Sequence, residues 1–93
     1  MTSDIKKTWM AEIIDCPSTT AAALICIIHG GESATLKSLA TAGEFHYIGP
    51  NRNVNALHGY LMDAGDTVTI GLPIDFGTDN IIEVWALPTT AGD

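Results

Sequence analysis

The amino-acid sequence predicts an all-β chain: a single antiparallel β-sandwich or jelly-roll-like domain of six to seven short strands. Three observations lead there. Short apolar or alternating runs recur, as in "TVTIGL" and "IIEVWALP". Clusters of turn formers ("DCPSTT", "PNRNVN", "DAGD", "DFGTDN") separate them at near-regular spacing. No run carries the apolar stripe of an amphipathic helix, and strands and helices do not alternate as a parallel sheet requires. At 93 residues the chain makes one domain spanning residues 1–93.

Taken in order, residues 1–7 are expected to be an exposed polar arm. "TWMAEII", Thr8 to Ile14, is the first predicted strand, with Trp9, Ala11 and Ile13 on one face and Met10, Glu12 and Ile14 on the other. Pro17, with Asp15 and Ser18 beside it, breaks the ladder. "AAALICIIH", Ala21 to His29, is the second. Its isoleucines favour an extended chain, and its lack of polar alternation predicts a central strand covered on both faces. A helix is the alternative for its alanine end. Gly30 and Gly31 end the run in a turn.

"ATLKSLA" and "GEFHYIG" read as two strands around Thr41-Ala42-Gly43, the first with a short helix as its alternative. "NALHGYLM" is a further strand, with Ala56, His58 and Tyr60 on one face, Leu57 and Leu61 on the other, and a bulge at Gly59. Asp63-Ala64-Gly65-Asp66 forms a compact turn. There Gly65 takes a positive φ, and an aspartate carboxylate accepts a local N–H. In "TVTIGL", Val68, Ile70 and Leu72 share one face, and Thr67, Thr69 and Gly71 the other. "IIEVWALP" is the last strand, and residues 89–93 are expected to be a soft tail.

Composition narrows the function classes. The net charge is −7, from eleven acids and four bases, and Lys6, Lys7, Lys37 and Arg52 form no patch. Counterion release from phosphate needs clustered cations, so nucleic acid and anionic membrane are poor partners. The longest apolar run, "TAAALICIIHGG", is about half of a ~20-residue membrane span. The run from Met1 into "TSDIKKTW" has no charged segment followed by an apolar one. Synthesis and folding in a cytoplasm are therefore expected. Apolar residues make up 46% of the chain and charged ones only 16%. A short chain buries only about 60–65% of its unfolded surface. This excess predicts apolar surface covered by other copies or by a larger partner, with Trp9 or Trp85 near the contacts. Cys16 and Cys26 do not make a disulfide framework, and Cys26 reads as a small core hydrophobe.

Signals for chemistry are weak, and no enzyme, cofactor or metal site is expected. Ser3, Ser18, Ser33 and Ser38 occupy no nucleophile elbow, and "HGGES" reads as a hairpin turn in a chain lacking the hydrolase strand–helix framework. His29, His46 and His58 lack close metal-ligand spacing. Asp63 with Asp66, and Asp75 with Asp79 beside Asn80, offer hard oxygen donors, but neither segment matches a twelve-residue calcium loop. Local N–H acceptance accounts for them. Trp9, Tyr47, Tyr60 and Trp85 are candidates for a sugar-stacking platform, or else for core and subunit contacts.

At "YLMDAGDTVTIGL", Tyr60 to Leu72, the chain resembles late strands of tumour-necrosis-factor-like jelly rolls and of small bacteriophage capsid-decoration or fibre-head domains. The shared pattern is an apolar strand end, an Ala-Gly-Asp turn and an alternating Thr/Val/Ile strand. The resemblance implies a non-enzymatic virion structural protein: a decoration or cement protein that binds the major capsid protein as a small homo-oligomer, a trimer favoured, and opposes separation of its subunits. It is made in the host cytoplasm and located in the virion. A carbohydrate-binding or adhesion module is the alternative. On the decoration reading Ile5 anchors the arm, Lys6 and Lys7 make salt-sensitive contacts, and Trp9 and Trp85 lie at interfaces. Asp63, Gly65 and Asp66 form the structural turn.

Overall fold

The computed structural model describes residues 13–77 and 79–92. Among them the fold is all-β, with six strands in two antiparallel sheets, in the manner of a small β-sandwich. The strands are β1 (Ala23–His29), β2 (Ser33–Lys37), β3 (Phe45–Gly49), β4 (Tyr60–Asp63), β5 (Thr67–Gly71) and β6 (Ile81–Pro88). A four-stranded sheet has the order β1-β6-β3-β4, and β2 pairs with β5 in a separate ribbon.

The core lies between these layers. Ile28, Ile48, Met62, Val84 and Ala86 of the four-stranded sheet are buried. Ala34 and Leu36 of β2, with Val68 and Ile70 of β5, pack against them. The alternation foreseen in "TVTIGL" holds: Val68 and Ile70 turn inward, while Thr67 and Thr69 are exposed. On the ribbon's outer surface the Thr35 and Thr69 hydroxyls share a hydrogen bond of 2.9 Å across the strands.

Of the four connections between the layers, two are tight corners. Gly30-Gly31 carries the chain from β1 into β2, and Asp63–Asp66 carries it from β4 into β5. At the first, the Gly30 N–H donates to the Asn80 carbonyl at 3.0 Å, and the Gly31 N–H to the Leu72 carbonyl at 2.7 Å. Glu32 Oε1 accepts from the His29 N–H at 2.8 Å and lies 3.1 Å from that residue's Nδ1. Gly30 has no room for a side chain, because a Cβ there would fall on the carbonyl of Gly77.

Several sequence expectations change. Of the predicted strand Thr8–Ile14, residues 8–12 lie outside the described residues. Ile13 and Ile14 are in no strand, and Ile13 is 77% exposed. Cys16 instead turns into the core ahead of Pro17. β1 is an edge strand of the four-stranded sheet among the described residues, not a central one. Its bulge between Leu24 and Cys26 and its outward Leu24 and Ile27 replace the expected cover on both faces. The Thr41-Ala42-Gly43 turn does not join a hairpin. It lies on a crossover, because β2 pairs with β5 and β3 with β4 and β6.

"NALHGYLM" contributes only Tyr60, Leu61 and Met62 to a strand, β4. The Asn55 carboxamide oxygen accepts from the Leu57 and His58 N–H groups, and that turn removes Ala56 to His58 from the strand, leaving Leu57 87% exposed. Gly59 is a close-packing position before β4, not a bulge within it: a Cβ there would crowd Val54 and the Asn55 carbonyl. The chain beyond Pro88 is hydrogen-bonded. The Thr89 N–H donates to Phe45 O at 3.0 Å, and the Gly92 N–H to Cys16 O at 2.9 Å. No disulfide joins Cys16 to Cys26, and burial pushes the Cys26 thiol pKa up.

Candidate functional site

The register of the four-stranded sheet sorts its side chains into two faces. On β6, Ile82, Val84, Ala86 and Pro88 point to the core, so Ile81, Glu83, Trp85 and Leu87 point away from it. Pairing of Leu24 with Trp85 and of Ile27 with Glu83 puts Leu24 and Ile27 on that outer face. Tyr47, paired with Leu87 on one side and Leu61 on the other, extends it across β3 and β4. The face is therefore largely apolar from one edge to the other. Leu24 and Ile27 are 41% and 43% exposed, and Leu61 and Ile81 are exposed to a similar degree. No described strand lies over it.

Within the face the aromatic groups are ordered. Phe45 and Tyr47 meet edge-to-face, with ring centroids 5.6 Å apart. The indole N–H of Trp85 donates to Glu83 Oε1 at 2.8 Å. That bond satisfies the one polar atom of the indole and presents the rest of the ring as apolar surface. Gly49, opposite Trp85 on β3, adds no side chain beside it. Tyr60 is on the other side of the sheet, at the mouth of the gap between the layers. Of the four aromatic residues proposed as a sugar platform, the structure brings together Tyr47 and Trp85. Trp9 lies outside the described residues, as do Ile5, Lys6 and Lys7.

The Asp63–Asp66 turn is a structural corner. Gly65 has φ 85°, the Asp66 N–H donates to Asp63 O at 3.0 Å, and Asp66 Oδ2 accepts from the Asp63 N–H at 3.0 Å. Two further bonds tie it to the end of β2: Ser38 N–H to Asp66 O, and Gly65 N–H to Ser38 O. Gly65→Val should destabilise the domain through its positive φ. Asp66→Ala should cost about 0.5–2 kcal/mol through loss of the carboxylate acceptor. Urea unfolding of both variants checks this, and a neutral Asp66→Ala would show that water replaces the carboxylate. Among the described residues no group of three or more His, Cys, Asp and Glu side chains is placed to hold a metal ion. None of their helices is long and apolar enough to cross a membrane.

Sequence reasoning missed two features. Ser38 Oγ and His46 Nδ1 share a buried hydrogen bond of 2.7 Å that ties the end of β2 to β3. They are eight residues apart, Ser38 just past β2 and His46 on β3, and no local pattern signals the pair. The outer apolar face was also missed as a face, although the non-alternating "ALICIIH" and "IIEVWALP" already carried apolar residues on both sides of their strands. Comparison with protein-family models, curated proteins and solved structures finds no match to the chain.

Proposed function

We propose that this protein is a non-enzymatic assembly protein that associates as a small oligomer, a trimer favoured, and acts as a decoration protein that binds and reinforces a capsid. The observation supporting this is the apolar outer face of the four-stranded sheet, centred on Trp85. Its size indicates how it is used. Completing the burial of a leucine or isoleucine that is half exposed contributes about 1 kcal/mol. Leu24, Ile27, Leu61 and Ile81 from two copies then give roughly 8 kcal/mol before any cost. Association costs on the order of 4–15 kcal/mol. A single pairwise contact is accordingly weak, whereas a closed ring seated on a larger surface makes several at once.

The test is the double variant Leu24→Glu, Ile27→Glu, which adds carboxylates at positions that are already part exposed. We expect the unmodified chain to scatter light as an oligomer and to co-sediment with capsids, and the variant to be monomeric and unbound with an unchanged circular dichroism spectrum. A strict monomer that binds no particle overturns this reading. Phe45, Tyr47 and Trp85 on the same face favour a second reading as a carbohydrate-binding module. Glycan binding abolished by Trp85→Ala, in a chain that does not self-associate, would select it.

A further inference from the structure

Strand β6 has described partners on both sides at only two of its eight residues, Trp85 and Ala86. β1 pairs with β6 from Ala86 to Ile81. β3 pairs only with Trp85 to Pro88, because the chain turns away at Pro50 after Gly49 opposite Trp85. Ile81 to Val84 therefore have no strand on their β3 side among the described residues. A cavity of about 320 Å³ opens at this vacated lane. Ile82 and Val84 floor it, Val68 and Ile70 of the ribbon roof it, and Pro50 and Tyr60 stand at its mouth. The volume is at the low end of the ~300–1,000 Å³ range of ligand pockets. An apolar cavity beside an open strand edge suits an added β-strand that pairs by its backbone and buries alternate side chains.

We infer that the occupant is the N-terminal segment of a neighbouring copy, running through Lys7 to Ala11, with the Trp9 indole in the cavity. Three observations single it out. "TWMAEII" has strand alternation, yet Ile13 and Ile14 belong to neither described sheet. Charge favours it: the stretch Lys7 to Ala11 holds one base and no acid, and of the eleven acids and four bases only Asp4, Glu12, Lys6 and Lys7 fall in the first twelve residues. Residues 13–93 thus hold nine acids against two bases, and Glu83 borders the cavity. The third is the route. The bond from Gly92 N–H to Cys16 O puts residue 16 beside the chain that leaves the Pro88 end of β6. Twelve extended residues reach about 40 Å, more than the length of β6. Between Cys16 and the gap, however, β3 fills the lane. A chain's own segment must climb over it, whereas a neighbour's enters from the open end. The inference rests on self-association alone and not on the presence of a capsid.

The experiment uses the full chain with Trp9 replaced by p-benzoylphenylalanine, as an equal mixture of light and isotopically heavy copies. The sample is irradiated, and its cross-links are mapped by mass spectrometry. Light-to-heavy links at residues 48–50, 68–70 and 82–84 are expected. Ile70→Trp, which fills the cavity from its roof, should lower their yield at least fivefold while urea unfolding stays cooperative. Links confined to single chains, links to the free edge of β1, absence of links, or a yield unaffected by Ile70→Trp each overturn the inference. Light scattering on the same sample separates the two proposals. An oligomer with misplaced links removes only the strand exchange, and a monomer removes both.

Discussion

Met62→Ala is expected to destabilise the domain by about 2–5 kcal/mol, the range for truncating a buried methionine to alanine. Met62 is only 1% exposed and belongs to the core cluster with Cys16, Ile48 and Val84. It sits on β4, a four-residue strand whose one sheet partner among the described residues is β3. The side chain therefore anchors a short strand as well as filling volume. A domain of this size holds roughly 5–14 kcal/mol in total, so the variant should unfold at much lower urea. Urea melts check this. A loss below about 1 kcal/mol with an unchanged m value would mean that the core closes over the missing atoms.

Gly30→Ala is expected to cost about 3 kcal/mol or more, at the upper end of overpacking effects. Unlike a flexible side chain, the carbonyl of Gly77 that a Cβ would meet cannot rotate aside. The corner is held on that side by the Gly30 N–H to Asn80 O bond, so relieving the clash loosens the start of β6. Gly31→Ala provides the control. Gly31 has φ 88°, but a Cβ there would approach nothing closer than Ile74 Cγ1 at 3.4 Å. Its cost is conformational, about 1–2 kcal/mol. Thermal and urea unfolding of the pair should rank Gly30→Ala as the more damaging, and the reverse ranking would show that strain outweighs crowding at this corner.

What could be read before the fold was known followed local physics. The all-β class, β5 with its two faces, β6 and the Asp63–Asp66 turn are each written in a stretch of ten residues or fewer, through period-two alternation or turn chemistry. Pairing was not legible. Adjacent predicted strands invite the hairpin rule, yet both tight turns, Gly30-Gly31 and Asp63–Asp66, lead from one layer to the other. The non-alternating apolar run of β1 indicated two covered faces, while the structure leaves Leu24 and Ile27 outward at an edge. A run of that kind states that both faces are apolar and not what covers them. For the candidate site, Trp85 was singled out from its strand as an interface candidate, and it lies on the outer face of the sheet. Tyr47 and Leu61 emerged beside it only through the register of β3.

The place of β6 at the centre of the sheet bears on how the chain is made. Of the described strands it is the last to leave the ribosome, yet it is the one that joins β1 to β3. Until it emerges, β1 has no neighbour among the described strands of its sheet, and the apolar stretch Ala23–His29 waits through the synthesis of more than half the protein. At about 5–20 residues per second that wait lasts seconds. Pairings this remote in sequence also close slowly, in milliseconds to seconds, as in other β-sandwiches. Nascent chains halted before Ile81 would thus be clients for chaperones, and completed ones would acquire their sheet in a late step.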